Sequence, residues 1–286
     1  MPTLRKLVSP SFKKRKEDID WIRHQPDEAG NDFLSVGKTK GSYIVRYAGI
    51  ADYHIDLSSE TVHWELANPL HEGQKDSAIH LAKNQVLPMM LSTKKLLVLH
   101  SSSVLLESGD AIAFSGPSTI GKSTIAKAFQ DHHSGTLLAD DWISIRQRET
   151  PPRLYSYSDE LEDKLAGHPA IGRSHKNDPS VRSYQFCVSD LTPFKTQSPP
   201  LKRIYLLEKG EENSKIHIEP LRAKSRYVSL ARNLFRLDPK DHGQLQKELA
   251  LLSSLLTAIP IYTLRYPRKR QQLPELIKKL LSTKSC

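Results

Sequence analysis

Residues 116–124 read "GPSTIGKST" and fit the pattern G-x-x-x-x-G-K-[ST]. The apolar run "AIAF" (111–114) precedes this stretch, and the segment "IAKAFQDH" (125–132) follows it with the spacing of an amphipathic helix. A glycine-rich loop between a strand and a helix binds phosphate, because backbone N–H groups and the start of the helix face the anion. The stretch therefore predicts a nucleotide site and places the chain in the α/β class.

The loop residues have separate expected roles. Gly116 and Gly121 allow the backbone to approach phosphates closely, Lys122 reaches the outer phosphates, and the Ser123 hydroxyl binds Mg²⁺. The sequence has no N-K-x-D motif that would select guanine, so we expect ATP and Mg²⁺ as cofactors. The predicted nucleotide site comprises Gly116, Pro117, Ser118, Thr119, Ile120, Gly121, Lys122, Ser123 and Thr124.

Two adjacent carboxylates lie about two dozen residues after Gly116, the first residue of the loop. Asp140 and Asp141 end the apolar part of "TLLADDWISI" (136–145), which reads as one strand. At the carboxyl edge of a parallel sheet they would lie beside the phosphates. One carboxylate could hold Mg²⁺ and the other could accept the proton of an attacking hydroxyl, as a kinase requires. The alternative is that one of the pair only caps a turn, which Asp commonly does.

His100 ends the apolar run "LLVLH" (96–100). A single histidine beside apolar residues is more often structural than catalytic, so these letters alone make it a weak candidate.

Residues 99–145, "LHSSSVLLESGDAIAFSGPSTIGKSTIAKAFQDHHSGTLLADDWISI", resemble the kinase domain of bacterial HPr kinase/phosphorylase, whose P-loop core is related to phosphoenolpyruvate carboxykinase. A strand-borne histidine, a hairpin, the glycine loop, a helix and an Ala-Asp-Asp strand end occur in the family's order. The resemblance implies that Asp140 is the acid/base residue, that His100 supports it, and that Asp141 helps Ser123 to hold Mg²⁺. The roles of the two aspartates could be exchanged.

The chain also departs from that family. The family loop usually has Gly where Thr119 stands and often an acidic residue where Thr124 stands, and residues 149–200 show no counterpart of its dephosphorylation signature. The β-rich front and the closing "IPIYTLRYP" (259–267) are more similar to stand-alone HPr-kinase-like proteins of peptide-tailoring systems, among them the lasso-peptide kinases. This similarity implies an ATP-dependent kinase of a precursor peptide's C-terminal serine. The alternatives are phosphorylation of free serine, phosphorylation of an HPr-like protein, or a nucleotide switch that transfers nothing.

Composition limits the remaining possibilities. Of 286 residues, 38% are hydrophobic and 26% charged, as in ordinary globular proteins. Two cysteines, Cys187 and Cys286, are too few for a disulfide framework, and no signal peptide or membrane span is visible, so we expect a cytoplasmic protein. Residues 200–286 carry 18 basic and 8 acidic side chains and supply the whole net charge of +10. No nucleic-acid motif accompanies this excess, so we expect neither nucleic acid nor membrane as partner, and a homo-oligomer stays open.

The sequence predicts three regions. Residues 1–18 form a basic flexible arm, residues 19–95 a small β-rich subdomain, and residues 96–286 an HPr-kinase-like P-loop domain in which 149–200 are a mobile lid. The stripe in 76–94 predicts a helix capped by Asp76 or Ser77 that Pro88 kinks or ends. A hairpin turn is predicted at "ESGD" (107–110). Later strands are predicted at 203–209 and 259–266, and helices at 225–237, 242–258 and 274–282.

Overall fold

The computed structural model describes residues 19–68, 73–146, 150–156, 165, 168–169, 183–188, 198–211 and 215–283. The predicted arm, residues 1–18, lies outside this described part. Backbone contacts divide the chain into two compact units, Met1–Leu87 with Asp159–Leu191 and Pro88–Ser158 with Thr192–Cys286. Helices and several sheets occur together, which confirms the mixed α/β class.

The strands of the described residues are β1 (Asp20–Pro26), β2 (Asp32–Thr39), β3 (Ser42–Tyr47), β4 (Ala51–Asp56), β5 (Thr61–Leu66), β6 (Leu97–Leu99), β7 (Ser101–Leu105), β8 (Ala111–Ser115), β9 (Thr136–Ala139), β10 (Ile143–Arg146), β11 (Arg153–Tyr155), β12 (His168–Pro169), β13 (Ser183–Cys187), β14 (Leu201–Lys209), β15 (His217–Pro220) and β16 (Ile261–Tyr266). The α-helices described are α1 (Gln74–Leu81), α2 (Leu87–Ser92), α3 (Lys122–Asp131), α4 (Ala223–Ala231), α5 (His242–Ala258) and α6 (Leu273–Ser282). A π-helical turn (Ala82–Val86) and a 3₁₀ turn (Arg270–Gln272) complete them.

The first unit is built on an antiparallel sheet. Its described strands follow the order β1-β2-β3-β4-β5-β13-β12. Alternate residues of β4 and β5 are buried, and Tyr53 and Trp64 are fully enclosed. The Trp64 ring stacks on Tyr184 of β13, with ring centroids 4.3 Å apart. This sheet agrees with the β-rich region predicted from its alternating pattern.

Strand β13 pairs with β5, which differs from the predicted assignment of 149–200 to the kinase domain. Residues 159–191 group with the first unit, and most other residues of the predicted lid lie outside the described part. The boundary between the units falls at 87/88 rather than at the predicted 95/96. Pairing between strands more than a hundred residues apart depends on tertiary contacts, which local periodicity does not encode.

The helix predicted over 76–94 begins earlier than expected and passes Pro88. Gly73, with φ 73°, is the N-cap of α1, so neither Asp76 nor Ser77 caps it. A π turn directly precedes Pro88, and the N–H of Leu87 bonds the carbonyl of Ala82 five residues back. In a regular α-helix the proline ring clashes with the carbonyl of the preceding turn, and the wider π turn gives the ring more room. The helix therefore continues past Pro88 to Ser92.

The second unit contains a six-stranded sheet in the described residues, with the order β15-β16-β14-β8-β7-β9. Strands β8, β14 and β16 are parallel, while β7 is antiparallel to both β8 and β9. Both faces of β8 are buried: Ile112 and Phe114 join a core with α3 and α6, and Ala111 and Ala113 join a core with α5. The predicted hairpin joins β7 to β8, with Gly109 at φ 84°.

Two apolar segments, 97–105 and the predicted single strand 136–145, are each divided between two sheets. At His100 the chain passes from β6 of the sheet β11-β10-β6 into β7 of the six-stranded sheet. At residues 140–142 it leaves the six-stranded sheet again, and β10 pairs with β6. A turn with Asp141 at φ 72° causes the second break. Because β7 and β9 pair beside β8, both breaks lie at the edge where β8 ends.

The C-terminal elements match most predictions. Strands β14 and β16 and helices α5 and α6 form where the apolar patterns place them. Helix α4 ends at Ala231, before the predicted 237, because the following residues bond to β6: the N–H of Phe235 donates to the Val98 carbonyl. Within the described residues, no helix is long and apolar enough to cross a membrane.

Candidate nucleotide and phosphoryl-transfer site

The loop after β8 requires glycine at both ends. Gly116 has φ 150° and Gly121 has φ 109°, values that residues with side chains rarely adopt. A Cβ atom at Gly116 would lie 3.1 Å from the Leu207 carbonyl oxygen, and one at Gly121 would lie 2.5 Å from the Tyr266 hydroxyl. Ile120 packs on the core to which α3 and α6 contribute. Conformation and close approach therefore both disfavour larger residues at these two positions.

The loop also carries unused backbone donors. Within the described part of the chain, no acceptor is found for the N–H groups of Ser118, Thr119, Gly121, Lys122 and Ser123. These donors follow one another into the first turn of α3, where the helix dipole adds positive potential. This arrangement suits a phosphate group, which offers several acceptor oxygens and negative charge.

Lys122 places its charge inside the loop. Its side chain is buried, and Nζ donates to the carbonyls of Gly116 at 3.0 Å and Pro117 at 2.9 Å. A third contact joins Nζ to Nε2 of His100 at 3.0 Å. Burial lowers the pKa of Lys122, and the charges of Asp141 and Asp140 oppose that change. The ammonium group therefore lies among the carbonyl oxygens of the loop whose free N–H groups suit a phosphate.

His100 is neutral and fixed in one tautomer. An ammonium group only donates, so Nε2 of His100 accepts from Lys122 and the ring proton lies on Nδ1. The backbone of Asp141 beside the ring, and the charges of Asp141 and Asp140, act to raise the pKa of His100. Burial first, and then the charge of Lys122, still lower the pKa of His100 below its ordinary value. With Nε2 engaged, His100 is arranged to position its neighbours rather than to take a proton from substrate.

Asp140 is the most strongly bonded carboxylate of the site. Its Oδ1 accepts from Ser102 Oγ at 2.6 Å, from Ser123 Oγ at 2.7 Å and from the Asp141 N–H at 3.1 Å. Burial alone would raise the pKa of Asp140, but these hydrogen bonds outweigh it and hold that pKa below its ordinary value. The carboxylate is therefore ionised and joined to the loop serine.

Asp141 has a different environment. It is the central residue of a γ turn, because the Trp142 N–H donates to the Asp140 carbonyl at 3.0 Å while Asp141 has φ 72°. A γ turn with positive φ is the rarer and strained form, and strained residues often occur at functional sites. In the described residues its carboxylate makes no hydrogen bond, although its charge acts on Lys122 and His100.

The donor set fits Mg²⁺ rather than a metal held wholly by protein. No group of three or more His, Cys, Asp or Glu side chains in the described residues could hold a metal ion. Mg²⁺ typically takes one or two carboxylates together with substrate phosphates, and here hydroxyl and carboxylate oxygens, from Ser123 and Asp140, meet at the start of α3.

The structure brings together five predicted site residues: His100, Lys122, Ser123, Asp140 and Asp141. Thr124, also predicted for the nucleotide site, is exposed in the first turn of α3. The described parts of the predicted lid, residues 149–200, include strands β11, β12 and β13. The other residues of the predicted lid lie largely outside the described part of the chain.

Sequence reasoning missed three residues of the site. Ser102 bonds Asp140, the Tyr266 hydroxyl lies at Gly121, and the Arg268 guanidinium donates to the Thr119 carbonyl. Alternation along a strand could have indicated Ser102, since it lies two residues after His100. Nothing local marks Tyr266 or Arg268, because both reach the loop from almost 150 residues further along the chain.

No family model matches the chain, and no curated protein matches it either. Among solved structures, the chain is similar to the HPr(Ser) kinase/phosphatase from Coxiella burnetii, with 14% identity and a TM-score of 0.29. That similarity covers 64% of this chain and 93% of the other.

Proposed function

We propose that the chain is an ATP-dependent kinase that transfers the γ-phosphoryl group to a serine hydroxyl of a peptide. The observation that supports this proposal best is the unequal bonding of the two adjacent carboxylates. Asp140 is bonded to the loop serine, whereas the carboxylate of Asp141 makes no hydrogen bond in the described residues. A nucleotide hydrolase needs one carboxylate for its metal, while a kinase also needs a proton acceptor for the attacking hydroxyl.

The bonding pattern favours one assignment of the two aspartates. We assign Ser123 and Asp140 to Mg²⁺, because their oxygens already meet at 2.7 Å. Asp141 is then the acid/base residue, held in place by its γ turn and by the hydrogen bond that the Ser101 N–H donates to its carbonyl. This exchanges the roles that the resemblance to HPr kinase implies.

Phosphoryl transfer needs mainly positioning and charge neutralisation. The unpaired loop N–H groups and Lys122 would bind the β- and γ-phosphates of ATP. Asp141 would accept the proton of the serine hydroxyl while the serine oxygen forms a bond to the γ-phosphorus. The bond from that phosphorus to the bridging oxygen breaks, and ADP leaves. When bound, Mg²⁺ would neutralise charge on the phosphate oxygens.

The acceptor is proposed from the resemblance and from charge. The similarity to lasso-peptide kinases points to the C-terminal serine of a precursor peptide, whose carboxylate is negative. The excess of 18 basic over 8 acidic side chains in residues 200–286 would attract such an end. Free serine and an HPr-like protein are the rival acceptors, and a nucleotide switch is the rival from another class.

The test is transfer from [γ-³²P]ATP with Mg²⁺ in parallel reactions. The acceptors are a peptide ending in serine, the same peptide ending in alanine, free serine and HPr. We expect label on the serine-ended peptide and none on its alanine counterpart. Label on free serine or HPr alone would contradict the peptide assignment. Label recovered only as inorganic phosphate in every reaction would identify a switch and contradict the kinase.

A further inference from the structure

The phosphate loop has one residue in a conformation that its side chain disfavours. Thr119 has φ 62°, in the left-handed region, and unlike Gly116 and Gly121 it carries a β-branched side chain. Left-handed backbone brings Cβ close to the following carbonyl, and a β-branched residue there is a genuine outlier. Thr119 is also exposed, so core packing does not enforce this conformation.

One long-range contact reaches this peptide. The Arg268 guanidinium donates a hydrogen bond to the Thr119 carbonyl. Arg268 follows β16 by two residues, and the last residue of that strand, Tyr266, lies against Gly121. The end of β16 therefore contacts the loop at two points. In the described part of the chain Arg268 forms no ion pair, and the Thr119 carbonyl is its hydrogen-bond partner.

We propose that Arg268 is a positioning residue for nucleotide binding, which holds the Thr119 peptide in its left-handed conformation. This inference rests on the proposed function, since it concerns the same phosphate loop. A hydrogen bond from a charged donor is stronger than one between neutral groups, which makes a guanidinium suited to this task. The loop N–H groups on either side of Thr119 then face a bound phosphate without first having to order the peptide.

Arg268→Ala tests the contact in two backgrounds, the natural Thr119 and Thr119→Gly. Glycine adopts the left-handed conformation without a steric penalty, so the loop with Thr119→Gly should no longer need the hydrogen bond from Arg268. The readouts are the Kd of a fluorescent ATP analogue and the KM values for ATP and acceptor. With Thr119 we expect Arg268→Ala to weaken nucleotide binding about tenfold, the scale of one hydrogen bond to a charged group. In the Thr119→Gly background the loss, relative to its own parent, should be at most about threefold.

Arg270→Ala is the matched control, because Arg270 is exposed, carries the same charge and makes no contact with the loop in the described residues. It should leave nucleotide affinity unchanged. Arg268→Ala should also leave the melting temperature nearly unchanged, since the side chain is exposed. The KM for acceptor should change little, because 17 of the 18 basic side chains in residues 200–286 remain.

An equal loss in both backgrounds would mean that Arg268 acts by its charge on the phosphates and would overturn the positioning role. No loss with Thr119, while the natural protein binds the analogue, would overturn this inference alone. A natural protein that binds no nucleotide would contradict the proposed function as well.

Discussion

Lys122 has three acceptors within hydrogen-bond distance and lies buried at the start of α3. Lys122→Ala removes the charge that would neutralise the outer phosphates but leaves the backbone donors in place. We expect phosphoryl transfer to fall at least about a hundredfold, and ATP affinity to fall less. Steady-state kinetics and nucleotide titration measure the two effects. Lys279→Ala, which loses only a surface pair with Glu275 on α6, should retain natural rates, and equal rates in both variants would place the active site elsewhere.

The carboxylates of Asp140 and Asp141 differ in their hydrogen bonds, so we expect different effects when each is replaced. Asp141→Asn should fold, bind Mg-ATP and lose at least about a hundredfold in kcat, the scale of a removed acid/base group. Asp140→Asn should instead raise the Mg²⁺ concentration needed for half-maximal rate. Titrations of Mg²⁺ at saturating ATP distinguish the variants. The opposite pattern would restore the assignment implied by the HPr kinase resemblance, and equal mild losses would make the pair structural.

At the scale of elements, the breaks in two strands create the site. A continuous strand over 97–105 or 136–145 would place His100 and Asp141 on a regular ladder. The structure instead changes sheets at both positions, and the N–H of Ser101 bonds the Asp141 carbonyl across the gap at 3.2 Å. Periodicity predicts that these segments are strands, because both are apolar, but it does not show where a strand leaves its sheet.

The pairing of β13 with β5 gives a test at this scale. Trp64 of β5 is fully buried and stacks on Tyr184, and among the described residues its indole N–H has no hydrogen-bond partner. Trp64→Ala should lower the free energy of unfolding of the first unit by about 3–5 kcal/mol, as is usual when a large buried ring is removed. Trp64→Phe keeps an aromatic ring and deletes the unpaired donor, so it should cost less than half as much. Denaturant unfolding followed by circular dichroism measures both, and equal costs would contradict the importance of the stacked ring.

At the scale of the whole molecule, the charge distribution predicts how binding responds to salt. If the basic excess of residues 200–286 attracts a carboxylate-ended peptide, its KM should rise clearly between low salt and roughly 0.5 M, where the Debye length is well below 10 Å. Turnover at saturation should change much less, because screening acts mainly on the encounter. The same peptide with an amidated C-terminus is the control and should show a smaller rise. If the KM values of the two peptides rose equally with salt, the basic excess would not explain the choice of acceptor.

The sequence by itself determined the glycine loop of residues 116–124, its flanking strand and helix, the β-rich front and the helix over 242–258. These features depend on contacts close along the chain, and glycine spacing and apolar periodicity record such contacts directly. The same patterns placed the two aspartates near the loop, since the C-terminal ends of β8 and β9 lie at one edge of the sheet.

Only the tertiary structure decided how the site residues are bonded. It joins Asp140 to Ser123, His100 to Lys122, Arg268 to Thr119 and β13 to β5. Each contact links residues 17 or more positions apart, and each depends on register, on side-chain direction and on where the chain changes sheets. Adjacent aspartates are identical as letters, and their difference arises because a γ turn at Asp141 separates the directions of the two carboxylates.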